Sequence, residues 1–111
     1  MLAPLEASGL LRRPVVPADC GHNAHMYYVL LQPPVDRQSV IAALKEAGIG
    51  AVFHYVPLHD APAGRRYARA HGTLPVTNSL SEQLIRLPLW IGLQDPQLAR
   101  VAEGLRNALM R

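Results

Sequence analysis

The sequence predicts an α+β fold, a small and mostly antiparallel sheet with helices packed on it. Three observations lead there. The run from Ala24 to Leu31 is rich in tyrosine and valine, which is the composition of a strand. A helix opened by Asp36 and closed by Gly48 returns at once to a second apolar run, so strand, helix and strand follow with almost no linker. Beyond Asp95-Pro96, leucine and valine recur at spacings of three and four, the pattern of an amphipathic helix.

The chain has 111 residues, the length of one domain. Half of them are apolar and 17% are charged, the balance of a soluble globular protein. The net charge of +3 is thinly spread, so neither nucleic acid nor a membrane surface is an expected partner. The one dense basic spot is Arg65, Arg66 and Arg69 around Tyr67. On a helix Arg65 and Arg69 would share a face, able to meet phosphate or simply to be solvated. A single cysteine, Cys20, rules out an internal disulfide framework and suits a reducing compartment. No apolar run reaches the roughly 20 residues of a membrane helix, and Glu6 inside the first apolar stretch is unlike a secretory signal. A cytoplasmic location is expected.

In order along the chain, Leu2 to Leu11 carries a weak helical pattern broken by Pro4 and Gly9, the tail of a helix that needs something to pack on. Arg13 to Cys20, with Pro14 and Pro17, reads as an extended connector. In the strand Ala24–Leu31, Tyr27, Val29 and Leu31 share one face and Met26, Tyr28 and Leu30 the other, and Pro33 and Pro34 end it. Asp36 caps a helix to about Ala47, with Val40, Ile41, Leu44 and Ala47 as its apolar stripe. Gly48 closes it in a left-handed turn, with Ile49 folding back on Leu44. A strand from about Gly50 to Val56 follows. Ala61 to Ala70 forms a short helix, and Ser79 with Glu82 makes a capping box for another that runs through Leu84 and Ile85. Leu87, Leu89, Trp90 and Ile91 are then extended, and Asp95 caps the last helix, whose stripe is Leu98, Val101, Leu105 and Leu109.

Chemistry concentrates in Phe53-His54-Tyr55-Val56-Pro57-Leu58-His59. The ladder should stop near Val56, because Pro57 lacks an amide donor and biases its neighbour to extended backbone. His54, Tyr55 and His59 then stand at a strand end and on the loop beyond. Two readings are open: histidines that satisfy backbone carbonyls while the tyrosine covers the core, or polar groups on a rigid support that recognise a ligand. Histidine pairs at His22/His25 and His54/His59 have spacings that zinc accepts, but no cysteine pair or acidic partner stands beside either, so no metal is expected. There is no nucleophile elbow and no glycine-rich phosphate loop.

Three motifs in order resemble one family. His22-Asn23-Ala24-His25-Met26-Tyr27-Tyr28, then Ala51 to His59 with Pro62-Ala63-Gly64 behind it, then Ser81-Glu82-Gln83-Leu84-Ile85-Arg86-Leu87-Pro88-Leu89 are similar to the C-terminal part of the DegT/DnrJ/EryC1/StrS sugar aminotransferases. Within it the likeness is to the transaminases of TDP-4-oxo-6-deoxy-D-glucose. The resemblance implies the small domain of the fold-type I aminotransferases, from about Asn23 onward. Residues 1–22 would then be a helix remnant and connector, and residues 23–111 the small domain, with the large cofactor-binding domain absent.

The resemblance further implies a dimeric pyridoxal 5'-phosphate enzyme that moves the amino group of glutamate to the C4 ketone of the TDP-sugar. His54, Tyr55 and His59 match the family segment and would line the sugar-nucleotide side of the site. The cofactor lysine has no counterpart: the sole lysine, Lys45, stands beside Glu46 near the end of a surface helix. No catalytic residue is therefore expected in this chain, nor bound cofactor, nor activity in isolation. A free-standing module that binds sugar nucleotides without chemistry is the alternative.

Overall fold

The computed structural model describes every residue from Met1 to Arg111. Four strands, β1 (Leu11–Arg12), β2 (Tyr27–Leu31), β3 (Val52–Phe53) and β4 (Leu84–Leu87), form one sheet. Their order across it is β1-β2-β4-β3, and every neighbouring pair is antiparallel. Consequently β2 and β3 run parallel with β4 inserted between them, a split β-α-β unit. The expected α+β class is what the molecule adopts.

Five helices accompany the sheet: α1 (Ala3–Ala7), α2 (Arg37–Glu46), α3 (Pro62–Tyr67), α4 (Pro75–Gln83) and α5 (Asp95–Leu109). One sheet face, with Leu11, Val29, Leu31, Ile85 and Leu87, meets Val40 and Leu44 of α2, Leu105 of α5 and Leu5 of α1 in a single core. Val29, Leu44, Ile85 and Leu105 are wholly buried, each worth roughly 1.5–3 kcal/mol of transfer free energy. On the opposite face Leu30 is also buried, and α4 lies against β2. Both faces of β2 are thus covered at the Leu30 end, as its two-sided apolar pattern requires.

The N-terminal segment packs on this same core, through Leu5 and Leu11. Leu11, expected at the end of the helical stretch, and Arg12 instead pair with Leu31 and Leu30 as an edge strand, while the helix ends at Ala7. Glu6 ties the segment back on itself. Its carboxylate accepts from the Arg13 amide at 2.8 Å and from Arg13 Nε at 2.6 Å, which holds it below the usual carboxylate range. Tyr27 packs against the core from β2, and burial pushes its phenol up.

The α2 boundaries follow the sequence. Asp36 accepts from the amides of Gln38 and Ser39. At the other end Gly48 has φ +69°, its amide bonds the Lys45 carbonyl at 2.9 Å, and the Ile49 amide reaches the Leu44 carbonyl at 2.8 Å. This is the six-to-one closure of a Schellman ending. Arg100 of α5 adds a hydrogen bond from Nη2 to the Ala47 carbonyl at 2.7 Å, so α5 caps the helix it packs on.

Other boundaries differ. Helix α4 starts at Pro75, one turn before Ser79, and the proposed capping box is not formed; Ser79 lies inside the helix and its Oγ accepts from Gln83 Nε2. Leu74, at φ +45°, turns the chain so that Pro75 can open the helix. Leu84 and Ile85 belong to β4 and not to that helix, because Ile85 and Leu87 alternate into the core between β2 and β3. Leu89, Trp90 and Ile91 accordingly fall past the strand, in an exposed turn. In α5 the cap is Gln94, one residue before Asp95, and its amide donates to Gln97 Oε1 at 2.8 Å. Helix α3 stops at Tyr67 because Ala68 is extended, so Arg69 leaves the helix and does not share a helical face with Arg65. No helix is long and apolar enough to cross a membrane.

Candidate functional site

The insertion of β4 decides where the His54–His59 segment begins. Phe53 pairs with Ile85, the last ladder partner on that side, and the chain leaves the sheet at His54. The strand is therefore shorter than the expected span to Val56. Three residues beyond His54 the Pro57 carbonyl accepts from the amides of Asp60 and Ala61, at 2.9 and 3.0 Å, and folds the segment into a turn.

His54 is half-buried, with Nδ1 out of solvent and without a hydrogen-bond partner in the chain. Its ring meets that of Tyr55 edge to face, centroids 4.8 Å apart at 65°. Tyr55 itself is 75% exposed and offers its phenol to solvent. Behind them, Arg37 at the start of α2 lays its guanidinium over Phe53, 5.4 Å from the ring centroid, and donates from Nη1 to the Ser81 carbonyl of α4. The start of α2, β3 and the end of α4 are joined at that point.

His59 is held differently. Its Nε2 lies 2.8 Å from Asn78 Oδ1, and Asn78 Nδ2 donates to the Thr73 carbonyl at 3.1 Å. That second bond fixes which end of the amide is oxygen, so His59 donates from Nε2. Asp60 Oδ2 stands 3.4 Å from the same nitrogen, while Asp60 Oδ1 is 3.0 Å from Arg65 Nη2. Gly64 completes the support. A Cβ there would lie 1.6 Å from the Leu58 carbonyl oxygen, so only glycine lets α3 approach the turn this closely.

Of the residues singled out in the sequence, His54 and Tyr55 are in contact, whereas His59 is turned to the support formed by Asp60, Asn78 and Arg65. Asn78, Asp60 and Arg37 were not anticipated, and Gly64 was noted only within the Pro62-Ala63-Gly64 motif. Asn78 is nineteen positions from His59, beyond any local pattern, but Gly64 two residues after Pro62 was a legible sign of close approach. The remaining histidines do not join the site. His22 Nδ1 accepts from the Ala24 amide at 2.8 Å and His25 is exposed. No three of the histidine, cysteine and acidic side chains converge on a point that a metal ion could occupy.

The DegT/DnrJ/EryC1/StrS aminotransferase family model matches residues 3–106, and so takes in both α1 and α5. The chain belongs to this family. A dTDP-3-amino-3,4,6-trideoxy-alpha-D-glucose transaminase of Streptomyces venezuelae is 33% identical over 107 residues, which are 96% of this chain and 27% of the relative. A UDP-N-acetyl-3-dehydro-alpha-D-glucosamine 3-aminotransferase of Acidithiobacillus ferrooxidans is 31% identical over 100 residues, 89% of this chain and 26% of the relative. The crystal structure of S. venezuelae DesV in complex with a ketimine intermediate superposes with a TM-score of 0.81 at 31% identity, covering 99% of this chain and 29% of that one. Among family members, then, the chain spans about a quarter of the length of the curated relatives it matches.

A pyridoxal phosphate site needs a lysine for the imine and a partner for the ring nitrogen. Lys45, the sole lysine, is exposed in the last turn of α2, and the neighbouring Glu46 pairs with Arg111 at 3.2 Å. The residues of this chain do not fit the cofactor by themselves. What they supply is a hydrogen-bonding surface, with the Tyr55 phenol and the His54 imidazole on a braced turn.

Proposed function

We propose that this chain is the C-terminal small domain of a pyridoxal-phosphate-dependent nucleotide-sugar aminotransferase, and that it has no transaminase activity alone. The observation that carries the reading is the family match over residues 3–106, set against relatives of which the chain spans about a quarter. A large domain of the same polypeptide supplies the cofactor and its lysine, and the whole enzyme is a homodimer in the cytoplasm. Its reaction moves the amino group of glutamate to the C4 ketone of TDP-4-oxo-6-deoxy-D-glucose. The sequence motif around His54 to His59 supports that substrate, while the relatives' names include amino groups at C3 as well as C4.

In this reading residues 1–22 lead in from the large domain and, through Leu5, Leu11 and β1, complete the core and sheet of the small domain that residues 23–111 form. Tyr55 and His54 face the sugar nucleotide. The exposed phenol can both donate to and accept from a sugar hydroxyl. His59 serves the same surface by bracing the turn beneath it through Asn78.

The test is made on the longer native polypeptide, assayed with glutamate and TDP-4-oxo-6-deoxy-D-glucose. Amination at C4 is expected, with Tyr55→Phe and His54→Ala each lowering kcat/KM on the order of tenfold or more, the cost of one buried or charged hydrogen bond. Amination at C3 alone overturns the ring position. A native polypeptide no longer than this chain overturns the catalytic reading and leaves a sugar-nucleotide binding module.

A further inference from the structure

Arg37, the first residue of α2, is half-buried, and its guanidinium serves two other elements at once. Nη1 donates to the Ser81 carbonyl, one of the last four of α4, which have no partner inside their own helix. A cation there also suits the negative end of the helix dipole. The same guanidinium lies over Phe53, 5.4 Å from the ring centroid. Phe53 is 45% exposed and outside the core, so Arg37, and not core packing, holds its ring. Phe53 ends β3 and His54 follows it directly, so what fixes the one directs the other.

Just two side-chain polar atoms in the chain are buried without a hydrogen-bond partner, Arg37 Nε and His54 Nδ1. One belongs to the residue laid over Phe53 and the other to the residue after it. A guanidinium keeps its protons, so Arg37 Nε remains a donor. The neutral imidazole has a choice of nitrogen. A proton on Nδ1 would be a buried N–H with nothing to receive it, and no carboxylate pairs with His54 to hold one there. The proton therefore belongs on Nε2, the nitrogen left open to solvent, and the bare lone pair of Nδ1 is the one enclosed.

We propose that Arg37 is a positioning residue for the His54–Tyr55 surface, clamping Phe53 so that His54 turns Nε2–H outward as a donor and keeps Nδ1 covered. The group that meets His54 is then an acceptor oxygen, and His54 takes no proton from the ligand, because its lone pair is enclosed. That the ligand is a sugar nucleotide rests on the aminotransferase reading. The clamp and the tautomer rest on the geometry alone.

The experiment is a long-range ¹H–¹⁵N correlation spectrum of the histidine rings of this chain at about pH 8, where an exposed imidazole is neutral. His54 is expected as the Nε2–H form alone, while the exposed His25 supplies the solvent-averaged mixture of tautomers in the same sample. Arg37→Lys keeps a cation for the Ser81 carbonyl but loses the planar group that covers the ring. Phe53→Leu removes the ring and leaves Arg37 on Ser81. Both should move His54 toward the averaged pattern of His25 while the amide spectrum stays dispersed; should one variant lose that dispersion, the other decides. A merely structural Arg37 would be rescued by lysine with the tautomer untouched. A His54 that matches His25 in the parent chain, or that keeps its pattern in a folded variant, overturns the proposal. In the longer polypeptide Arg37→Lys should raise KM for the sugar nucleotide on the order of tenfold, as loss of one hydrogen bond to a ligand does, and change KM for the amino donor by less than about twofold. An equal rise in both, or none in either, overturns the positioning role. A polypeptide that aminates no sugar overturns the aminotransferase reading and leaves the ring spectra to decide the clamp.

Discussion

Asp36 shows how much one side chain can fix when its partners are local. Its carboxylate accepts from Ser39 Oγ at 2.5 Å, from the Ser39 amide at 2.9 Å and from the Gln38 amide at 3.3 Å. The bond from the Ser39 hydroxyl, then those from the two amides, hold it below its ordinary value of 3.8. Glu6 is likewise held below 4.5, by the Arg13 amide first and its side chain second. Both favour the ionised form in the fold, so their stabilisation is present above those ordinary values and lost as pH falls through the folded ones. The urea midpoint is therefore expected to drop on acidification below about pH 4.5, the upper end of that window. Asp36→Asn keeps one acceptor oxygen for the cap but no longer titrates, so it should lower the neutral midpoint toward the acid value and flatten the acid limb. Urea unfolding of both proteins across the acid range checks this, and identical acid limbs would refute it. The cap was legible in the sequence because its partners lie within three residues. The bond from His59 to Asn78 was not, since nothing in either residue's neighbourhood points nineteen positions away.

At the scale of elements, the contact between α2 and α5 turns on Gly104. A Cβ at that position would stand 2.3 Å from Ile49 Cδ1 and 3.5 Å from Leu44 Cδ2. Helix propensity favours alanine over glycine by about 1 kcal/mol, and overpacking a filled contact costs about 1–3 kcal/mol. The packing term should win, because Ile49 is buried in the core and its Cδ1 would have to move among close-packed neighbours. Gly104→Ala is expected to lower stability by roughly 1 kcal/mol, read as a lower thermal midpoint; a rise would mean that Ile49 repacks freely. Both helices were legible from their end residues and apolar periodicity, though not their contact. The boundary between helix α4 and strand β4 was not, because Leu84-Ile85-Arg86-Leu87 suits either period over so short a run. Pairing on both sides by β2 and β3 decided it. The same blindness hid β1, two residues long and defined only by its partner.

Over the whole molecule, the apolar surface is divided unevenly. One core gathers the buried residues, while Phe53, Tyr55, Val56 and Leu58 around the turn, and Trp90 and Ile91 after β4, stand in solvent, Ile91 completely. Such patches mark surfaces built for a partner. In the absence of one, the 12.1 kDa chain is expected to self-associate, with a sedimentation mass that rises with concentration; a clean monomer at every concentration would refute this. The α+β class was legible because strand, helix and strand follow one another in sequence, yet the sheet order was not. No local signal says that a segment some thirty residues downstream of β3 slides between β3 and β2. That insertion sets a schedule for the chain. As residues emerge in order during synthesis, β2, α2 and β3 are complete well before β4, yet β2 and β3 have no common neighbour until it arrives. The sheet is therefore closed by its last strand, and the turn that carries His54 and Tyr55 has no ladder partner at its start until Ile85 is in place beside Phe53.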